Sequence, residues 1–303
     1  MEKRMANYTI LVNSCDSYSD LWEPFFLLLK KYWAGEIPEI VLNTETKDFS
    51  MNGLQIHCPH CPDNPKGFYG KRLKYALNTI DTEYVLCLLD DFFIRETVDT
   101  ARIEQLIDCM DRNQNISCFN FEDTFEGERS VQYPGFVSLP QIAEYKLNMQ
   151  AAIWRKDDLY KLWKDRVDPW TWETVSNKLT YTSTKEYYFL EKGHRTPVSY
   201  GKKPGLTWGV VRGKWMEEDV VPLFEKEGIS VDYSARGFFT PEQRKKASAS
   251  SMIELNLKML YILGFSYVVR NFCYSTIYRR IKALQGIHVV DYDTHLAQKM
   301  NRE

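Results

Sequence analysis

Two adjacent carboxylates follow a continuous apolar stretch of the chain. Asp90 and Asp91 come directly after Tyr84–Leu89, and three more apolar residues follow them. Neighbouring carboxylates repel each other and are costly to remove from water, and a divalent cation relieves both effects. Mg²⁺ and Mn²⁺ prefer carboxylate oxygens and often bridge to the phosphates of a substrate. The pair therefore predicts a metal and diphosphate site, whereas the simpler alternative is two loop acids that cap the following helix.

Strand and helix signals alternate around this pair. Stretches rich in β-forming residues occur at 8–12, 39–42, 84–89 and 116–121, and stretches with helical periodicity occur at 21–33, 69–80 and 98–113. This order predicts an α/β fold of the Rossmann type, a mixed sheet flanked by helices. Ligands of such sheets bind beyond the carboxyl ends of the strands. The residues that follow the four strands, at 13–16, 43–45, 90–91 and 120–123, are therefore the first candidates for a site.

The second half of the chain is less regular. The patterns favour strands and turns at 132–145, helices at 154–163, 170–178 and 186–192, a strand at 206–211, and two or three helices within 242–285. Residues 242–303 carry 10 Lys and Arg against 5 Asp and Glu, although the whole chain has a net charge of −2. We expect a catalytic domain over 1–240 and a basic helical extension over 241–303. The extension suits either contact with an anionic surface or a solvated helical face.

The composition argues against several functions. A net charge of −2 predicts no nucleic-acid partner, and the lack of a glycine-rich, lysine-containing phosphate loop argues against a nucleotidyltransferase. Aromatic residues make up 14% of the chain, which suits either stacking on sugars or a large core. The 7 cysteines and the lack of a signal peptide predict a cytoplasmic protein. The apolar run at 259–269 is about half the length that spans a bilayer.

Several short motifs resemble those of a known enzyme family. They are Asn-Ser-Cys-Asp-Ser-Tyr at 13–18, Gly-Lys-Arg-Leu at 70–73 and Leu-Leu-Asp-Asp-Phe-Phe at 88–93. Over residues 8–215 the chain resembles bacterial GT-A-type glycosyltransferases of surface polysaccharide gene clusters. Its acidic motif is Asp-Asp rather than the spaced Asp-x-Asp. The resemblance implies a GT-A-like fold and transfer of a sugar from a nucleotide-diphosphate donor, a UDP-sugar, to a glycan or lipid-linked acceptor with Mn²⁺ or Mg²⁺.

The resemblance also implies roles for individual residues on the donor side. These are Asn13, Ser14 and Asp16 at the base and ribose, Arg72 near the base or phosphates, Asp90 at the ribose, Asp91 at the metal, and Gln150 and Trp154 at the donor sugar. Each has a plainer alternative. Asp16 suits a helix cap, Arg72 a charge on a helix surface, and Gln150 with Trp154 a strand that packs into the core.

A second constellation offers a general base. An inverting transferase needs one carboxylate to take the proton of the acceptor hydroxyl. Pro169 starts a helix well, so Glu173 lies about one turn into it, beside Trp170. A dry setting next to an indole ring raises the pKa of a carboxyl group, which favours Glu173, with Asp168 as the competing candidate. In the family that the chain resembles, the base often has a similar position in the half of the domain that binds the acceptor, which also favours Glu173. A helix-start acid is the plain alternative.

Three further segments have open interpretations. Arg212 and Lys214 flank Gly213 and suit either neutralisation of a leaving diphosphate or an ordinary basic turn. Cys58, His60 and Cys61 suit a loop or one bound metal ion, because the prolines that follow disfavour a redox helix. Mixed Tyr and Arg at 267–279 suit either a peripheral membrane contact or packing on the main domain. A non-catalytic carbohydrate-binding protein with the same fold is the alternative to an enzyme.

Overall fold

A mixed nine-stranded sheet organises the chain in the computed structural model, which describes residues 7–123, 128–130, 132–201, 208–240, 250–286, 291 and 293–294. The strands of this sheet are β1 (Tyr8–Asn13), β2 (Ile40–Asn43), β3 (Ile56–His57), β4 (Tyr84–Leu89), β5 (Ile116–Asn120), β6 (Glu128–Arg129), β7 (Phe136–Ser138), β8 (Ala152–Arg155) and β9 (Glu186–Leu190). Their order is β3-β2-β1-β4-β8-β5-β9-β7-β6. A separate antiparallel hairpin joins β10 (Val210–Val211) and β11 (Lys214–Trp215).

Helices flank both faces of the sheet. Those in the described residues are α1 (Ser19–Tyr32), α2 (Tyr69–Asn78), α3 (Thr100–Arg112), α4 (Lys156–Leu162), α5 (Pro169–Thr174), α6 (Glu217–Glu227), α7 (Ser250–Leu263), α8 (Phe265–Phe272) and α9 (Arg279–Leu284). Helices α1, α3 and α6 pack on one face, and α2, α4 and α5 pack on the other. The predicted fold class, an α/β mixed sheet flanked by helices with helices following it at the C-terminal end, is confirmed.

The strand order reverses at the centre of the sheet. β1 pairs in parallel with β2 on one side and with β4 on the other. β8 lies antiparallel between β4 and β5, which makes the sheet mixed. In an open α/β sheet the reversal point leaves a crevice outside the carboxyl ends of the two central strands. The ends of β1 and β4 therefore lead to the expected place for a ligand.

Burial on both faces explains why β4 is a continuous apolar run. Leu86 and Leu88 enter the core cluster on one face, whereas Val85 and Cys87 enter the cluster on the other. A strand covered on both faces needs apolar residues at every position. The strand is thereby held firmly up to Leu89, and the two acids that follow emerge at a fixed place.

Two predicted helices of the second half are wrong in whole or in part. The predicted helix at 154–163 begins only at Lys156, because Trp154 and Arg155 belong to β8. The predicted helix at 186–192 is the strand β9. A short apolar run fits a buried strand and a helix equally well by periodicity. For β9, the three consecutive aromatic residues at 187–189 favour a strand over a helix.

The C-terminal helices begin with α7, which contacts the main body. Ile262 is only 2% exposed and packs into the second core cluster. Lys164 Nζ donates hydrogen bonds to the carbonyls of Tyr261 and Ile262 at 2.9 and 2.8 Å. Residues 241–249 lie outside the described residues, so the boundary between 1–240 and 241–303 stays a prediction. In the predicted strand at 206–211, only 210–211 are described as a strand, and 206–207 lie outside the described residues.

Candidate functional site

A cavity of about 790 Å³ opens at the carboxyl ends of β1 and β4. This volume lies within the range of small-molecule sites. It gathers eight of the residues singled out from the sequence: Asn13, Ser14, Arg72, Asp90, Asp91, Gln150, Asp168 and Glu173. The structure therefore brings together groups from five separate segments of the chain, and their individual contacts decide what each can do.

Asp90 is held inside the protein by two donors. Ser14 Oγ donates to its Oδ2, and Trp22 Nε1 donates to the same oxygen at 3.1 Å. Burial, followed by the neighbouring charge of Asp91, raises the pKa of Asp90 well above its ordinary value, although both hydrogen bonds lower it. Asp90 is only 3% exposed. Its contacts suit a residue that positions the loop after β4 more than a residue that binds a cation directly.

Replacing Trp22 by phenylalanine tests this network. Trp22 is 2% exposed, and its Nε1 also donates to Ser14 Oγ at 2.6 Å. The change removes a buried donor from which both Ser14 Oγ and Asp90 Oδ2 accept, so we expect the free energy of unfolding to fall by about 1–3 kcal/mol. Urea unfolding measures the loss. The matched control is Trp170→Phe, because Trp170 is 65% exposed and the same change there should alter stability by less than about 0.5 kcal/mol. Equal losses in both variants would contradict the assigned role.

Asp91 differs from Asp90 in having an unpaired oxygen. Its Oδ1 is buried and finds no hydrogen-bond partner among the described residues. Burial raises the pKa of Asp91 to about 7, while a backbone hydrogen bond and the charge of Arg236 lower it. Gly209 N donates to the Asp91 carbonyl at 2.8 Å, and a Cβ at Gly209 would meet that oxygen at 2.8 Å and the Phe93 ring at 2.2 Å. The backbone of Asp91 is therefore closely packed, while one carboxylate oxygen lacks a partner.

The acid pair fits a divalent cation through Asp91 rather than through both carboxylates. In the described part of the chain, no group of three or more His, Cys, Asp and Glu side chains could hold a metal ion. A buried carboxylate oxygen without a partner is nevertheless a suitable ligand for Mg²⁺ or Mn²⁺, which commonly complete their coordination with water and substrate phosphates. The Oδ2 of Asp90 already accepts from Ser14 and Trp22. The residues present therefore fit a cation that enters with a phosphate-bearing ligand.

Arg72 lies in the cavity lining and is not a helix-surface charge. It is 1% exposed, and its Nη2 donates to the Ser14 carbonyl at 2.8 Å. Its Nη1 lies 3.0 Å from Glu45 Oε1, and its guanidinium lies over the Tyr69 ring at 5.1 Å. These contacts join α2 to the ends of β1 and β2. At the same strand ends, Asn13 Oδ1 accepts a hydrogen bond from Asn43 Nδ2 at 3.1 Å.

Asp16 serves the loop after β2 and is not in the cavity lining. Its carboxylate accepts from the backbone N–H groups of Glu45, Thr46 and Lys47 at 3.1–3.2 Å, and from Thr46 Oγ1 at 2.6 Å. Burial raises the pKa of Asp16, but these hydrogen bonds outweigh it and hold the pKa below the ordinary value. Asp16 therefore positions Glu45, which does line the cavity. The predicted contact of Asp16 with a ribose stays a prediction.

Glu173 and Asp168 have different environments although both line the cavity. Glu173 Oε1 accepts from Met149 N at 2.8 Å, and burial raises the pKa of Glu173 despite that bond. Asp168 caps α5 by accepting from Thr171 N at 2.9 Å, and Lys258 Nζ lies 3.2 Å from its Oδ2. Burial raises the pKa of Asp168, but the bonds from Thr171 and Lys258 bring it below the ordinary value. A general base needs a raised pKa, so these environments favour Glu173 over Asp168.

Of the two residues predicted at the donor sugar, only Gln150 lines the cavity. Its Oε1 is buried and has no hydrogen-bond partner among the described residues. Trp154 is 1% exposed in β8 and packs against Trp172 and Tyr187 at ring distances of 6.0 and 6.2 Å. Its place in the core corrects the expectation that it faces a sugar. A sequence pattern cannot distinguish the two faces of a strand that is buried on both sides.

The hairpin of β10 and β11 carries Arg212 and Lys214, and neither is among the described residues that line the cavity. Their predicted contact with a leaving diphosphate stays a prediction. Lys214 Nζ donates to the Arg236 carbonyl, and Arg236 is the cation whose charge lowers the pKa of Asp91. The Arg236 guanidinium lies 4.5 Å from the centre of the Tyr18 ring and donates to Asp20 Oδ2 at 2.6 Å. No sequence pattern singled out Arg236, because a lone arginine in an irregular segment carries no periodic or motif signal.

The Cys58-Pro59-His60-Cys61 segment is a loop after β3. Cys58 Sγ donates to the Phe49 carbonyl at 3.8 Å, and His60 Nε2 lies 3.5 Å from Asp48 Oδ1. Burial raises the pKa of the Cys58 thiol. A raised pKa disfavours the thiolate that redox chemistry requires. These contacts are those of a packed loop.

Comparison with known proteins identifies no family. No family model and no curated protein match the chain. S. aureus TarS 1–349 in complex with UDP-GlcNAc is 13% identical with a TM-score of 0.39, over 92% of this chain and 75% of that one. A cytidylyltransferase from Leptospira borgpetersenii is 15% identical with a TM-score of 0.44, over 86% and 97%. A longer S. aureus TarS structure is 16% identical with a TM-score of 0.39, over 61% and only 36%. These likenesses are too remote to assign a function.

Proposed function

We propose that the chain is a glycosyltransferase that moves a sugar from a nucleotide-diphosphate donor to a hydroxyl group of a glycan or lipid-linked acceptor. One observation carries the proposal. The cavity at the strand-order reversal contains both a buried carboxylate with an unpaired oxygen, Asp91, and a second carboxylate with a raised pKa, Glu173. Burying two carboxylates in this way costs free energy of folding, and a site that only binds a sugar does not need them.

The donor would lie against the ends of β1 and β4. Asn13, Ser14 and Arg72 offer amide, hydroxyl and guanidinium groups there, which suit the base, ribose and phosphates of a nucleotide. Gln150 Oε1 would accept a hydrogen bond from a hydroxyl group of the donor sugar. Asp91 would hold Mn²⁺ or Mg²⁺, whose chemistry is to neutralise charge on the leaving diphosphate. Arg236, whose charge acts on Asp91, adds a fixed positive charge on the same side.

The acceptor would lie against α5. The exposed Trp170 ring offers a flat apolar surface on which a sugar can stack. Glu173 Oε1 is held by Met149 N, so Oε2 would receive the proton of the acceptor hydroxyl. In an inverting displacement the acceptor oxygen bonds to the anomeric carbon, the bond from that carbon to the diphosphate oxygen breaks, and the electron pair leaves with the nucleotide. The motif resemblance suggests a surface polysaccharide as the product.

A thermal-shift screen of UDP, GDP, CMP and CTP with and without Mn²⁺ tests the proposal. We expect UDP with Mn²⁺ to raise the melting temperature by about 5 °C at 100-fold excess over its dissociation constant, because only the folded chain binds it. Mn²⁺ alone should have little effect, since Asp91 supplies few of its ligands. Stabilisation by free sugars and by no nucleotide would favour the carbohydrate-binding alternative. Stabilisation by CTP alone would favour a nucleotidyltransferase.

A further inference from the structure

The last helical stretch of the chain carries a row of exposed apolar side chains. α8, a π-helical turn at Cys273–Tyr278 and α9 follow one another without a break from Phe265 to Leu284. At 1.5 Å per residue this stretch is about 30 Å long. The apolar ridge, as we call it, consists of six side chains that are 40–89% exposed: Phe265, Val269, Phe272, Ile277, Ile281 and Leu284.

The spacing of the apolar ridge places it on one face. Successive members are four, three, five, four and three positions apart. Steps of three and four stay on one face of an α-helix. The step of five, from Phe272 to Ile277, falls across the π-helical turn, where hydrogen bonds join residues five apart. The wider turn therefore keeps the second half of the ridge in line with the first.

A different face of this stretch is attached to the main body. Tyr267, which is not part of the ridge, donates a hydrogen bond to Asp293 Oδ1, and Lys178 Nζ donates to Asp293 Oδ2 at 2.5 Å. Helix α7 precedes the stretch and contacts the cap of α5 through Lys258 and Asp168. The apolar ridge is therefore not the surface that packs on the protein, and one helix joins it to the cavity lining.

The charge of this stretch selects the partner. Residues 264–286 contain four basic side chains, Arg270, Arg279, Arg280 and Lys282, and no Asp or Glu. A helix with apolar side chains on one face and basic side chains around it binds in the interface of a membrane with anionic lipids. A second copy of the chain would bring like charges together, which opposes association. Among the described residues no helix is long and apolar enough to cross a bilayer.

We propose that the apolar ridge docks on the surface of an anionic lipid bilayer. The six apolar side chains enter the boundary between headgroups and acyl chains, and the four basic side chains contact the headgroups. This proposal does not depend on the proposed enzymatic function.

Vesicle co-sedimentation of the full chain tests the docking. We expect binding to vesicles of phosphatidylcholine with phosphatidylglycerol, and at least about tenfold weaker binding to phosphatidylcholine alone. The double variant Arg279→Glu with Arg280→Glu should bind the anionic vesicles at least about tenfold more weakly. The control, Lys192→Glu with Arg195→Glu, makes the same charge change on an exposed turn and should bind as the unmodified chain does.

A second variant tests the apolar part. Phe265→Ser with Phe272→Ser removes two side chains that are 73% and 61% exposed, so the fold should persist, as circular dichroism can verify, while vesicle binding falls. No binding to anionic vesicles, or equal loss in the Lys192/Arg195 control, would overturn the proposal. A third result would also overturn it: light scattering shows that the unmodified chain is a dimer, the serine variant is a monomer, and the unmodified chain does not bind vesicles. The ridge would then be an interface between two copies of the chain.

Discussion

Replacing Asp91 by asparagine is expected to lower sugar transfer by about a thousandfold while the protein stays folded. The unpaired Oδ1 of Asp91 is the carboxylate oxygen in the cavity lining to which we assign the cation and the leaving diphosphate. An amide keeps the size of the side chain but removes its negative charge, so it binds Mn²⁺ poorly. Transfer from a UDP-sugar, measured at saturating Mn²⁺, gives the rate. In the Asp91→Asn variant, Mn²⁺ should also no longer increase the rise in melting temperature that UDP causes.

Two comparisons keep this prediction specific. The control Asp157→Asn changes an exposed acid in the first turn of α4 and should retain full activity. Stability separates chemistry from folding. Because burying a carboxylate whose Oδ1 has no hydrogen-bond partner costs free energy in the folded state, Asp91→Asn should unfold at a urea concentration no lower than that of the unmodified chain. Full transfer by Asp91→Asn would remove the assigned role of Asp91, and a large loss of stability would make the activity uninformative.

Replacing Glu173 by glutamine is expected to lower turnover by about 10²–10⁴-fold with little change in UDP binding. Glutamine can still accept the hydrogen bond from Met149 N through its amide oxygen, so the local structure should persist. It cannot take a proton. The split between an unchanged UDP affinity and a reduced turnover number is the measurement that distinguishes a base from a residue that binds the donor.

The pH dependence gives a second measurement on Glu173. Burial raises the pKa of this carboxyl, so turnover should fall with decreasing pH at values above the ordinary range for glutamate. The stability effect has the opposite sign. The folded protein holds this proton to a higher pH than the unfolded chain, so the contribution of Glu173 to stability falls as pH rises from the unfolded pKa through the folded pKa. Glu173→Gln should remove both dependences.

Asp168→Asn is the matched control on the same helix. It weakens the cap of α5 and the contact with Lys258, so we expect a loss of about 0.5–2 kcal/mol in the free energy of unfolding. Turnover per folded molecule should remain within about tenfold of the unmodified enzyme, because its lowered pKa does not suit a base. If Asp168→Asn loses turnover and Glu173→Gln does not, Asp168 is the base.

Much of the fold was predictable because the determining forces act locally. The bounds of β4 match the apolar run Tyr84–Leu89 at both ends, since burial on both faces requires apolar residues without interruption. The apolar run alone therefore places the two acids at a strand end, and the packing of the sheet puts that end at the reversal of strand order. At β8 and β9 the apolar runs are short and have no clear periodicity, so each of them fits a helix as well as a buried strand. The predicted helices there are therefore wrong in whole or in part.

The sequence by itself determined the α/β class, the central strand, and the position of Asp90 and Asp91 at the end of that strand. Periodicity, apolar runs and strand-end polarity are properties of neighbouring residues, so they can be read along the chain. Only the tertiary structure distinguished the paired Asp90 from Asp91 with its unpaired oxygen, gave Asp16 to a loop and Trp154 to the core, and brought Arg236 toward Asp91. These outcomes depend on contacts between residues far apart in the chain, which follow from how whole elements pack rather than from any local pattern.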